Sequence, residues 1–266
     1  KMSFKGKKGD TVNIPSPTRG AASVKAASTA VTLIAATETN IPVLIDKHYE
    51  YSRFIEDIVE VQALSSLRRF YTDDAGYSLA KQIDTDMVQL GRTFNGGAAT
   101  AAYTGGYAGG DGTTAYVAGS NNQSALTDAA IRRTIQRLDD NDVPTDGRFF
   151  MIPPSARNTL MGLDRYTAMD FVGEAGNANT IRNGQIGNLY GMPVYVTSNC
   201  DTTSGSAAAR VALMGHKDAA VLVEQLGIRS QTQYKQDYLS TLYTSDTIYG
   251  VKELRDSSAF ALVVPA

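Results

Sequence analysis

From position 64 to 94 the apolar residues Leu64, Leu67, Tyr71, Ala75, Leu79, Ile83, Met87, Leu90 and Phe94 recur at intervals of three or four. That spacing places them on one side of an α-helix. Ser65 or Ser66 can cap its start, and Gly91 or the pair Gly96–Gly97 can end it. A helix over residues 65–94 would be about 45 Å long. A compact chain of this size has a diameter of roughly 47 Å. One helix therefore crosses nearly the whole molecule, which predicts a flat or elongated body built along a spine.

What precedes the helix reads as an arm. Residues 11–14 alternate in the strand manner, with Val12 and Ile14 on one side, until Pro15 and Pro17 are expected to stop them. A second strand is predicted over 41–55. Val43, Ile45, Lys47, Tyr49, Tyr51 and Arg53 share one face; Leu44, Asp46, His48, Glu50, Ser52 and Phe54 share the other. At ~3.3 Å per residue it would approach 50 Å, about three times an ordinary strand. The pair reads as a long ribbon that leaves the body. The connection over 18–40 is mostly Ala, Ser and Thr, with Val24, Val31, Leu33 and Ile34 as its larger apolar residues. A connection of that length without its own core is functional or disordered. The β-prone run over 31–34 can continue the ribbon.

Beyond the helix, residues 95–120 are glycine-rich with Tyr103, Tyr107 and Tyr116. They lack any Lys or Arg and any Walker pattern, so a mobile loop or irregular hairpin is expected rather than a phosphate cradle. Short helices then alternate with short strands. One helix follows Ser124, with Ile131, Ile135 and Leu138 on one face, and another starts at Pro153–Pro154. Strands are expected over 148–152, 192–197 and 210–214, a helix over 217–226, and a β-like tail over 228–264. The organisation is α+β with a second module in the middle.

The catalytic inventory is poor. With one cysteine, Cys200, neither an intrachain disulfide nor a thiolate metal cluster is possible. Of the two histidines, His48 lies on a ribbon strand beside Asp46 and Glu50, and His216 follows Gly215 at an expected strand-to-helix turn; without a companion nucleophile each reads as a hydrogen-bonded structural or surface histidine. Asp139, Asp140, Asp142 and Asp146 fail the calcium-loop pattern, because Pro144 and Thr145 fall where ligands and glycine belong. Asp73, Asp74, Asp84 and Asp86 read as the wet face of the long helix or an interface. Asn122-Gln123-Ser124 matches the glycosylation pattern, but nothing else suggests secretion. No apolar run approaches the ~20 residues that span a bilayer. A formal net charge of −2 excludes a general polyanion binder. The basic front end (Lys1, Lys5, Lys7, Lys8, Arg19 and Lys25 against Asp10) is either a solvated tail or an arm lying on an acidic surface or nucleic acid. Together these features point to a soluble, cytosol-made protein with no active site, metal or cofactor.

The order of elements, a two-stranded arm, a spine helix, an α/β module and a β-rich tail, resembles the tailed-bacteriophage major capsid proteins of the Hong Kong 97 type. Local text carries the resemblance. Gly9-Asp10-Thr11-Val12-Asn13-Ile14-Pro15 looks like the strand entering that family's extended loop, and Glu38-Thr39-Asn40-Ile41-Pro42-Val43-Leu44-Ile45-Asp46-Lys47 looks like its return. Phe54-Ile55-Glu56-Asp57 leads to the spine helix, which contains Ala80-Lys81-Gln82-Ile83-Asp84. Gly191-Met192-Pro193-Val194-Tyr195-Val196-Thr197-Ser198-Asn199 resembles the axial-domain strand with its Ser-Asn turn, and Met214-Gly215-His216-Lys217-Asp218-Ala219 the turn that follows.

The resemblance spans about residues 10–256 and implies an α+β, Hong Kong 97-like capsid fold. Residues 1–9 would be the remnant of a longer N-terminal arm, 10–57 the extended loop and 58–124 the peripheral domain with its spine helix over 65–94. Residues 125–227 would be the axial domain and 228–266 a return to the peripheral domain. It implies a structural subunit that assembles with copies of itself, as hexamers and pentamers, into an icosahedral shell around double-stranded DNA bound non-specifically. Scaffolding, portal and decoration proteins would be partners, and no membrane would be involved. The protein would be found in the virion after assembly in the host cytoplasm. Candidate inter-subunit contacts are Arg19, Lys25, Val31, Leu33 and Ile34. The alternatives are an encapsulin-type compartment shell, an enzyme with an unrecognised site, and a β-rich adhesin or surface-layer protein.

Overall fold

The computed structural model describes residues 1–6, 8–17, 20–31, 33, 38–57, 67–163, 187–205 and 208–266. In chain order these form β1 (Met2–Ser3), β2 (Thr11–Pro17), β3 (Glu38–Leu44), β4 (Lys47–Glu56) and helix α1 (Leu67–Gln89). Next come β5 (Tyr107–Ala108), α2 (Asp128–Asp140), β6 (Arg148–Ile152), α3 (Pro154–Met161), β7 (Asn188–Leu189) and β8 (Met192–Val196). The last strands are β9 (Ala209–His216), β10 (Ala220–Lys235), β11 (Ser240–Glu253) and β12 (Ala259–Pro265). One sheet has the order β1-β10-β11-β4 and another β5-β12-β9-β6-β8-β7, while β2 and β3 pair with each other.

The strand expected over 41–55 is two strands, β3 in the ribbon and β4 along β11. The core causes the break. The Ile45 N–H donates a last rung to the Asp10 carbonyl (2.7 Å), and the Ile45 side chain is buried with Val43, Val221 and Val223. The chain is captured there and redirected into the larger sheet. The ribbon is therefore short, seven residues per strand, and its base packs through Val12, Ile14 and Val43 on the body. Pro15 lies inside β2 rather than ending it, and Pro17 is its last residue; a free edge loses no ladder bond to proline. Gly250 lets the ribbon cross β11: a Cβ there would lie 2.2 Å from the Leu44 carbonyl oxygen.

Helix α1 is followed by a 3-10 turn over Leu90–Arg92 in place of its expected last turn; Leu64, Ser65 and Ser66 fall outside the described residues. Ala75 and Leu79 are buried as expected, but Ile83 and Met87 are only half-buried, and Asp86 and Val88 are buried instead. The cause is geometric. Residues four apart advance about 40° around a 3.6-residue helix, so the row from Tyr71 to Met87 winds about 160°. One end packs Ala75 against Ile55 and Tyr243 of the four-stranded sheet. At the other end Asp86 accepts a hydrogen bond from the Tyr249 hydroxyl (2.7 Å) and lies 3.4 Å from Lys47 Nζ. Asp86 is thus an interior anchor and not part of a wet face. Asp74 accepts from the Tyr51 hydroxyl at 2.8 Å.

The central strands β9 and β12 of the six-stranded sheet are covered on both faces, which is why they read as continuous apolar runs. Phe260 and Leu262 of β12 join Met214 of β9 and Phe150 and Ile152 of β6 beneath Ile131, Leu138 and Leu160 of α2 and α3. Ala261, Val263 and Val211 face the other way, onto Tyr103 and Tyr116. Those tyrosines belong to the glycine-rich segment, which is an irregular packed hairpin with a bridge between Tyr107 and Ala115. The helix expected over 217–226 is instead the turn into β10 and its first half. Val221 and Val223 alternate inward, and antiparallel pairing with β11 runs from Ala220 to Lys235. Sheet pairing and β-branching outweigh the helical spacing of Ala219, Leu222, Val223 and Leu226.

One carboxylate joins these parts. Asp201, after β8, accepts two hydrogen bonds from the Arg92 guanidinium (2.6 and 2.9 Å), one from the Tyr103 hydroxyl (2.6 Å) and one from the Thr202 N–H (2.9 Å). Burial pushes its pKa up, but the bonds from Arg92, Tyr103 and Thr202 outweigh burial and hold it below the usual carboxylate range. Burial and the adjacent carboxylate push the Tyr103 phenol well above its usual range.

Because the folded-state pKa of Asp201 is depressed, its contribution is complete at neutral pH and fades as pH falls through the folded-state value. Asp201→Asn is expected to cost about 2–3 kcal/mol at neutral pH and to flatten the acid limb of stability, checked by urea midpoints across an acid titration. Gly250→Ala is expected to speed hydrogen exchange at the Ile45 amide while the β12 amides keep their protection.

Candidate functional site

Among the described residues, both histidines and the cysteine are engaged in structure. His216, at the end of β9, is buried; its Nε2 lies 2.8 Å from the Asp146 carbonyl, and its Nδ1 lies 3.2 Å from the Asp218 N–H. The second contact makes Nδ1 an acceptor and leaves the proton on Nε2, so the neutral ring has no free nitrogen. His48 lies on the other sheet, its Nε2 3.2 Å from Asp246, whose carboxylate also accepts a fork from Arg229 (2.7 and 3.0 Å). The Arg229 fork, aided by His48, holds Asp246 below the usual carboxylate range despite desolvation. Burial pushes the Cys200 thiol up to about 12, so it stays protonated and inert at neutral pH.

The acidic cluster is a turn. Asp139 pairs with the buried Arg148 (2.7 Å), and Asp140, Asp142 and Asp146 are exposed. Among the described residues no group of three His, Cys, Asp or Glu side chains could hold a metal ion. Asn122 clips its own loop, accepting from the Val117 N–H and donating to the Ala115 carbonyl, each at 2.9 Å. A cleft of about 440 Å³ lies between the end of α1 and the six-stranded sheet. Met87, Val88, Phe94, Phe149, Met151 and Leu213 give it a mainly apolar lining, and the histidine on its wall is the fully engaged His216. Among the described residues no helix is long and apolar enough to cross a membrane.

Surfaces are the more informative feature. Of the candidate contact residues, Arg19 and Ile34 lie outside the described residues. Lys25, Val31 and Leu33 lie on the connection beyond the ribbon and are exposed. Val24, Val31 and Leu33 are 102%, 66% and 88% accessible, an unusual display for aliphatic side chains. Local order there includes a hydrogen bond from Thr29 Oγ1 to the Ala26 carbonyl (2.8 Å). The run over 31–34 does not extend the ribbon at Val31 or Leu33, and the rest of it falls outside the described residues. The basic front end turns inward in part. β1 lies parallel to β10, where Lys1 and Lys5 (3.7 Å) pair with Glu224 of the same chain. Lys8 remains exposed, and Lys7 is outside the described residues.

Two further exposed apolar groups escaped the sequence reading. At the far end of the β10–β11 hairpin, Phe54 and Tyr238 pair their rings at 5.3 Å beside exposed Leu239. They meet through strand register, with Leu242 opposite Phe54, so no local pattern reveals them. On α1, Phe70 and Tyr77 face solvent two turns apart; their spacing was readable, but they lie off the expected core stripe.

No curated protein sequence matches significantly. Among solved structures, a chain of Mycobacterium phage Che8 is 24% identical with a TM-score of 0.72, the match covering 96% of this chain and 85% of that one. The capsid of the cyanophage P-SCSP1u is 18% identical with a TM-score of 0.75, covering 99% and 86%. The mature capsid of bacteriophage PhiM1 is 14% identical with a TM-score of 0.71, covering 99% and 84%. At such identities these likenesses carry the fold, that of Hong Kong 97-like phage capsids. The family model described as "Phage capsid protein" matches residues 53–261, well over half of the chain. A fold shared with phage capsids thus meets a family match over most of the chain's length: the chain belongs to the phage capsid protein family.

Proposed function

We propose that this capsid subunit is the major shell protein of a tailed phage, assembling as hexamers and pentamers into a closed icosahedral shell around packaged double-stranded DNA. The observation that carries the proposal is the display of Val24, Val31 and Leu33 in solvent beyond an anchored ribbon. Ordering backbone costs on the order of 1 kcal/mol per residue, and burying one such side chain returns only ~2 kcal/mol. The described part of the connection, residues 20–31 and 33, therefore lacks contacts of its own to hold it. A neighbouring copy supplies the missing surface, and small Ala, Ser and Thr side chains let one backbone lie close on another. Modest contacts suffice, because each subunit meets several neighbours.

In this reading the ribbon and its connection are the extended loop, and α1 is the spine of a peripheral domain built on the four-stranded sheet. The six-stranded sheet with α2 and α3 is the axial domain, with β12 as one of its strands. The subunit resides in the virion after assembly in the host cytoplasm; scaffolding, portal and decoration proteins are its expected partners. The role is structural, without catalysis. The encapsulin alternative is not favoured, because the family match is to phage capsids, and nothing favours an enzyme or an adhesin.

Negative-stain microscopy of the expressed protein, with any scaffold supplied, is expected to show closed shells; a compact monomer at every concentration would overturn the proposal. Val31→Asp/Leu33→Asp is expected to cut shell yield at least about tenfold while the subunit's own urea midpoint is unchanged, since both side chains are exposed. Trypsin is expected to nick free subunits at Lys25 quickly and to spare assembled shells. Equal cleavage in intact shells and free subunits would show that the connection touches no neighbour.

A further inference from the structure

The β2–β3 ribbon has free edges, and its hydrogen-bond phase decides which backbone groups lie on them. The bond from the Ile45 N–H to the Asp10 carbonyl makes residues 10 and 45 an inward-facing pair. Facing alternates along an antiparallel ladder. Val12 with Val43, Ile14 with Ile41 and Ser16 with Thr39 therefore bond across the ribbon. Thr11 with Leu44, Asn13 with Pro42, Pro15 with Asn40 and Pro17 with Glu38 turn their backbone polar groups outward.

All three prolines of the ribbon fall on outward positions, and all three are exposed. A folded ribbon permits proline only there, so the phase alone follows from the fold. Their presence is the informative part. Three of the chain's eight prolines occupy two seven-residue strands, where proline is otherwise disfavoured. Past Asn13 the edge of β2 has no outward N–H left, since both remaining positions are proline. On β3, Pro42 removes the donor between Asn40 and Leu44, and Leu44 itself is pressed against Gly250 of β11. A strand adding to an edge needs a donor at every second residue. Neither edge can offer an unbroken run.

We propose that Pro15, Pro17 and Pro42 blank the ribbon's edges against strand addition, so that a second copy of the chain meets the ribbon through its faces and not by extending a β-sheet. An open edge is a template for uncontrolled pairing, most of all in a chain present at high local concentration. The inference concerns free subunits and stands apart from the shell proposal.

The test uses purified, unassembled full chain. Pro15→Thr/Pro17→Thr/Pro42→Thr is expected to polymerise at least about tenfold faster than the parent, read by thioflavin fluorescence and by intermolecular β-sheet bands in the infrared. Adding Asn13→Pro and Asn40→Pro, both outward positions, is expected to return the rate to that of the parent. A triple variant no faster than the parent overturns the proposal. Polymerisation that the two added prolines do not suppress overturns it too, because misfolding and not edge pairing would then be the cause. A chain that behaves as expected here yet never forms shells would keep the edge function and remove the shell reading.

Discussion

Asp201 is a charge taken out of water, and two side chains from far earlier in the sequence converge to keep it there. Arg92 arrives from the turn after α1, Tyr103 from the glycine-rich hairpin, and Asp201 from the loop beyond β8. An isolated buried carboxylate would cost several kcal/mol; here the guanidinium fork, a phenol and a backbone amide replace its hydration. Because the partners belong to different layers, satisfying one charge fixes the end of the helix against the six-stranded sheet. Asp86 does the same at the other sheet, through Tyr249 and Lys47. A long helix held at buried carboxylates can lie across two sheets without a continuous apolar stripe, which is what its winding row of Tyr71, Ala75, Leu79, Ile83 and Met87 requires.

The parts of the fold legible in the sequence are those decided by neighbours in sequence. Residues 148–152 form a strand and Ile131 and Leu138 face a core because short-range periodicity and burial agree there. The misread parts were decided at long range. Ile45 ends β3 because Val221 and Val223 bury it, and residues 220–226 are strand because β11 lies beside them. Nothing within residues 217–226 announces that partner. Asp201 was invisible as an anchor for the same reason, since Arg92 is 109 residues away.

The candidate contact surface was legible in part. Val31 and Leu33 stand out because a run of small residues around them offers no core to enter, and they are exposed as that predicts. The Phe54–Tyr238 pair belongs to two strands brought together by register and has no local signature. Inert side chains fit the same economy. His216 and Cys200 sit where hydrogen bonding or burial removes their reactivity, so chemistry-bearing residue types here serve packing.

The place of β12 has a consequence for how the subunit is made. The strand lies inside the six-stranded sheet, between β5 and β9, and is contributed by residues 259–265. Until those residues leave the ribosome, β9 lacks a partner along one whole side, and Tyr103 and Tyr116 lack the Ala261 and Val263 they pack on. Closing β5 onto β12 joins positions about 150 residues apart, a slow non-local step. The order of synthesis thus sets an order of folding: the six-stranded sheet, and the surface built on it, cannot close before β12 has been made, after every other described strand.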